Sequence, residues 1–96
     1  MDMESLMAQA QDLQSKISAA QDSLGAQQVR GIGGNGDVIV TMTGKYDVLS
    51  VVIQPNALNT DAQMLSAAVM DAYVDAKTKA DALIEKTMNE VTGSIE

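Results

Sequence analysis

The apolar positions change period twice along the chain. From Met3 they fall at Leu6, Ala10, Leu13, Ile17, Ala20 and Leu24, and after the first step the spacings alternate between four and three. This is a helix seam that keeps heptad register for nearly three repeats. The other faces carry Gln9, Gln11, Asp12, Gln14, Ser15, Lys16, Gln21 and Asp22. Asp2 is placed to cap the helix and Gly25 to stop it. A helix is therefore expected over about 2–24. Its seam is narrow enough to suit one partner helix, in the same chain or in another.

A period of two then takes over. Val38, Val40 and Met42 share one strand face, while Ile39, Thr41 and Thr43 share the other; Leu49, Val51 and Ile53 alternate with Val48, Ser50, Val52 and Gln54. Strands are expected over about 26–32, 37–43 and 46–54, with Asn35-Gly36 supplying a turn and Pro55 ending the last strand. Neither of the two stronger strands has a cleanly polar face. A sheet that is apolar on both sides requires cover on both sides, and one chain has few helices to offer. A homodimer joined through the sheets follows, with Val38, Val40, Met42, Leu49, Val51 and Ile53 at the joint.

Helical spacing returns at Ala62, Leu65, Val69, Ala72, Ala76, Ala80, Leu83 and Thr87, after the cap candidates Asn59, Thr60 and Asp61. No glycine or proline interrupts the run from Asp61 to Thr92. A helix over about 60–92 would be about 45 Å long. A strand of seven residues spans only about 23 Å, so the C-terminal half of the helix is expected to project, paired with the first helix or standing free. Ala67, Ala68, Ala72, Ala76 and Ala80 permit the close approach of another helix. The tail from Gly93 to Glu96 is expected to fray. The whole chain, 1–96, reads as one α+β domain: long helix, three-stranded antiparallel sheet, long helix.

Composition narrows the chemistry. With no cysteine and no histidine, the chain lacks the usual thiolate ligands, general base and pH switch. Thirteen acidic residues against six basic give a net charge of -7, so nucleic acid would have to meet a local basic surface. No apolar run is long enough to span a membrane. The N-terminus has no basic or apolar leader region, and a cytoplasmic location is expected. The seven methionines are scattered over helices and sheet and read as core filler. Gly31, Gly33 and Gly36 match G-x-G-x-x-G, but a strand pattern follows where a phosphate-binding loop needs a helix. They read as turn glycines, and no small-molecule substrate or cofactor is expected. Asp71 and Asp75 lie one helical turn apart without a third ligand, and flanking Lys77 and Lys79 make them a solvated charged face. Asp12 with Lys16, Asp75 with Lys79, Lys77 with Asp81 and Lys86 with Glu90 are spaced as intrahelical ion pairs.

Three segments in this order resemble the YbaB/EbfC family of bacterial nucleoid-associated proteins. Leu6-Met7-Ala8-Gln9-Ala10-Gln11 is similar to that family's Leu-Met-Lys-Gln-Ala-Gln opening. Gly36-Asp37-Val38-Ile39-Val40-Thr41-Met42-Thr43-Gly44 is similar to its Val-x-Val-Thr-x-x-Gly hairpin. Val51-Val52-Ile53-Gln54-Pro55-Asn56-Ala57-Leu58 is similar to its Val-x-Ile-Asp-Pro-x-Leu-Leu segment. The resemblance implies a tweezer-like homodimer that binds double-stranded DNA in the nucleoid with little sequence preference and affects gene expression. It places DNA contacts on the projecting helices, where Lys16, Lys77, Lys79 and Lys86 are the candidates. Ala8 stands where the family often has lysine, and Gln54 replaces the aspartate before proline. With about twice the negative charge per dimer, binding should be lost at modest salt. The alternative is an acidic dimeric module that holds a protein partner and no DNA.

Overall fold

The fold was obtained as a computed structural model that describes residues 2–93. Two helices flank a three-stranded antiparallel sheet: α1 (Met3–Ala26), β1 (Gln28–Gly33), β2 (Val38–Thr43), β3 (Val48–Ile53) and α2 (Ala62–Gly93). Strand order is β1-β2-β3. This is the expected α+β order of long helix, three-stranded antiparallel sheet and long helix. The expected fraying at Ser94–Glu96 lies outside the described residues.

The ends are set by local chemistry. Asp2 Oδ1 accepts from the Ser5 amide at 2.8 Å, and Asp61 Oδ1 accepts from the Met64 amide at 2.7 Å. Each satisfies one amide of a first helical turn. Gly25 does not stop α1: the helix runs on through Ala26, and Gln27 turns extended while its amide bonds back to Leu24 and Ser23. Between β1 and β2 the chain turns through a short 3-10 segment, Gly34–Gly36. There Gly34, Asn35 and Gly36 all take positive φ, the backbone region that glycine and asparagine tolerate best.

The core lies between α2 and the first two strands. Val38, Val40 and Met42 are 0–2% exposed and pack against Ala68, Ala72, Ala76 and Ala80. These three residues were expected at a joint between chains. The structure corrects that reading: the chain's own second helix covers them. The alanine ladder of α2 meets the sheet, not another helix, and comes unusually close to it. A Cβ on Gly31 would stand 1.9 Å from the Ala72 carbonyl oxygen, and one on Gly33 would stand 2.1 Å from that of Ala68. Gly31 and Gly33 are therefore strand residues that admit the helix backbone, and only Gly34 and Gly36 of this cluster serve the turn. The small residues on both sides leave room for the β-branched side chains of β2 beneath the helix.

α2 lies over β1 and β2, whereas every residue of β3 is exposed. Val51 and Ile53 stand opposite Val40 and Val38, hence on the same face, yet they lie beyond the helix. The register shifts between Thr41 and Met42, and Leu49 is the extra residue. Val48, Leu49, Val51, Val52 and Ile53 are 42–52% exposed. Beyond the sheet, α2 continues and meets the C-terminal half of α1. Lys16, Ala19, Ala20 and Ser23 face Thr87, Glu90 and Val91 across a groove of about 350 Å³. The N-terminal half of α1 extends further, with Met3, Leu6 and Met7 exposed. The molecule measures 68 × 18 × 15 Å.

Candidate nucleic-acid interface

A surface that binds the phosphate backbone needs several cations aimed the same way. The four candidate lysines lie on three different surfaces. Lys16 is on the limb that α1 and α2 form together, 3.2 Å from Asp12, and it borders the groove that also contains Glu90. Lys86 lies on the same limb beside Glu85, Asn89 and Glu90. The expected Lys86–Glu90 ion pair does not form; among the described residues Lys86 pairs with no carboxylate.

Lys77 and Lys79 part company. Two residues on a helix are separated by about 200° of rotation, and the contacts show it. Lys77 faces the turn between β2 and β3. Its Nζ is 5.6 Å from the centre of the Tyr46 ring and 3.5 Å from Asp81 Oδ2. Tyr46 has φ 69, and its hydroxyl donates to Asp81. That hydrogen bond holds the phenol above its ordinary pKa. Tyr46 and then Lys77 hold the Asp81 carboxyl below the usual carboxylate range. Thr43 fastens the same turn, its buried hydroxyl accepting from the amides of Lys45 and Asp47.

Lys79 faces the opposite flank. Its Nζ donates to the Arg30 carbonyl oxygen at 2.7 Å and lies 3.1 Å from Asp75 Oδ2. That carboxylate accepts from the Ile32 amide at 2.9 Å. The Ile32 amide first, and then Lys79, hold the Asp75 carboxyl below its usual range. Arg30 and Ile32 belong to β1, so this pair, though still open to solvent, is also fastened to the sheet, which its i,i+4 spacing does not indicate. Asp71 takes no part. No group of three or more acidic side chains among the described residues is arranged to hold a metal ion.

The basic surface is thus sparse and interleaved with carboxylates. α1 carries one lysine against Glu4, Asp12 and Asp22; α2 carries three against Asp71, Asp75, Asp81, Glu85 and Glu90. Among the described residues no helix is long and apolar enough to cross a membrane.

Comparison with known proteins places this architecture. A nucleoid-associated protein of a Bradyrhizobium species is 41% identical over 91 residues, which is 94% of this chain and 86% of that protein. A nucleoid-associated protein of Gluconobacter oxydans is 39% identical over 92 residues, 95% of this chain and 86% of the relative. The crystal structure of an uncharacterized protein from Helicobacter pylori superposes with a TM-score of 0.78 at 19% identity, covering 100% of this chain and 99% of that one. It shares the fold. The family description matches residues 1–95, nearly the full length, and on these grounds the chain belongs to the YbaB/EbfC DNA-binding family.

Proposed function

We propose that this protein is a non-enzymatic nucleoid component that binds duplex DNA as a homodimer, with little sequence preference and with consequences for gene expression. The whole-length family match carries the reading. The joint between copies is β3, where Leu49, Val51 and Ile53 are exposed and uncovered by α2. An apolar edge strand left open is a liability that a second copy removes. Lys16 and Lys86 on the projecting limbs, with Lys77 nearer the sheet, supply the phosphate contacts. Lys79, bonded to Arg30 and Asp75, is not counted among them.

Two copies of three lysines allow at most about six phosphate contacts, so log affinity should fall with log salt no more steeply than about -5. Fluorescence anisotropy of a labelled duplex, titrated with salt, measures this. Lys16→Glu combined with Lys86→Glu should weaken binding on every sequence and flatten the slope. Unchanged binding by that variant would move the contact surface elsewhere. No binding by the native chain at low ionic strength would remove the DNA reading altogether.

Two observations favour a second reading. Lys16 and Lys77 are already ion-paired, and the first turns of α1 expose Met3, Leu6 and Met7. An acidic dimer with such a seam suits a protein partner. Co-purification of a partner that survives high salt, together with absent DNA binding, would decide for it.

A further inference from the structure

The sheet has two edges, and the structure treats them differently. In an antiparallel ladder the outward N–H and C=O groups come from alternate residues. On β1 these residues include Arg30 and Ile32, since the amide of one and the carbonyl of the other are taken from the outer side by α2. Asp75 Oδ2 accepts from the Ile32 amide at 2.9 Å. Lys79 Nζ donates to the Arg30 carbonyl at 2.7 Å. The two side chains are themselves paired at 3.1 Å. Their reach depends on the closeness of α2, which Gly31 and Gly33 permit. Among the described residues no side chain engages the outer edge of β3 in the same way.

We propose that Asp75 and Lys79 act as an edge guard, occupying the Ile32 amide and the Arg30 carbonyl of β1, two of the backbone groups that an added strand would need. Strand addition is thereby confined to β3, and assembly stops at a closed pair. This rests on the β3 joint proposed above. If β3 joins β3 across a two-fold axis, each dimer presents two β1 edges to solvent. Open β1 edges would pair dimer to dimer, and nothing in the symmetry would close that series. A charged pair over the edge is physically suited to prevent it, because an incoming strand must displace both hydrogen bonds and desolvate both charges.

Sedimentation velocity of the full chain tests this, run from low micromolar to near-millimolar concentration. The native protein should reach a dimer and stop. Asp75→Ala combined with Lys79→Ala should give a sedimentation coefficient that keeps rising with concentration beyond the dimer. A folded double variant that stops at the dimer overturns the proposal, and so does a native protein that grows past it. If the double variant loses its helical circular dichroism, Lys79→Met uncovers the Arg30 carbonyl while keeping Asp75 and the aliphatic stem. It should show the same growth, and its absence would count equally against the guard. A monomeric native protein would instead refute the β3 joint. The guard is then judged by whether the variant alone associates. In the native chain the Ile32 amide should exchange its hydrogen far more slowly than an open-edge amide; rapid exchange also overturns the proposal.

Discussion

Gly31→Ala separates two opposed expectations. By strand propensity alone, replacing a glycine in β1 by alanine should stabilise the protein by about 0.5–1 kcal/mol. The structure reverses the sign. The new Cβ would lie 1.9 Å from the Ala72 carbonyl oxygen, 2.3 Å from the Ala76 amide nitrogen and 2.7 Å from the Ala76 methyl. Ordinary contact begins at 3.4 Å, so α2 must lift by about 1.5 Å, enough to forfeit half or more of each dispersion contact beneath it. Overpacking costs about 1–3 kcal/mol where side chains can yield. Here backbone meets backbone and neither can rotate away, so the expected loss is about 3 kcal/mol or more. For a chain of this size that lowers the melting temperature by more than about 10 °C. Urea denaturation at one fixed chain concentration is the assay, because unfolding coupled to dissociation depends on concentration. A Gly31→Ala protein within about 0.5 kcal/mol of native would refute the close-approach argument and with it the account of the alanine ladder.

Two further outcomes follow from local geometry. Gly25→Ala should raise the melting temperature, with a gain of about 0.5–1 kcal/mol: Gly25 lies inside α1, and its Cβ would rest 3.4 Å from the flexible methylenes of Lys45. A drop would mean that Gly25 carries a turn after all. The depressed Asp75 pKa makes a contribution to stability that is present above the unfolded carboxylate value and lost as pH falls through the folded one. Stability measured against pH should therefore decline on the acid side, and Asp75→Asn should flatten part of that decline; an unchanged profile would show that the Asp75–Ile32 bond contributes nothing.

The two periods in the chain determined the elements and their order, because helix and strand place every side chain by a local rule. Asp2 was legible as a cap for the same reason, and Asp61 as one of three candidates, each bonding only three residues ahead. The opposite flanks of Lys77 and Lys79 were also implicit in their spacing of two. The roles of Gly31 and Gly33 left only a faint signal: small residues at every second position of a strand, and alanines at every fourth position of a later helix. That signal has meaning once the two are known to face each other. Which strands α2 covers was decided by tertiary structure alone. Val38, Val40 and Met42 are as apolar as Val51 and Ile53 and share a face with them, and the difference is that the helix lies over β1 and β2. Asp75 and Lys79 likewise looked like one more i,i+4 pair, since their partners Ile32 and Arg30 lie more than forty residues away. Periodicity reports which face of an element is apolar, a property of neighbours in the chain. The covering of that face, and of the sheet edge beside it, is set by elements distant in sequence, and so only the folded molecule could decide it.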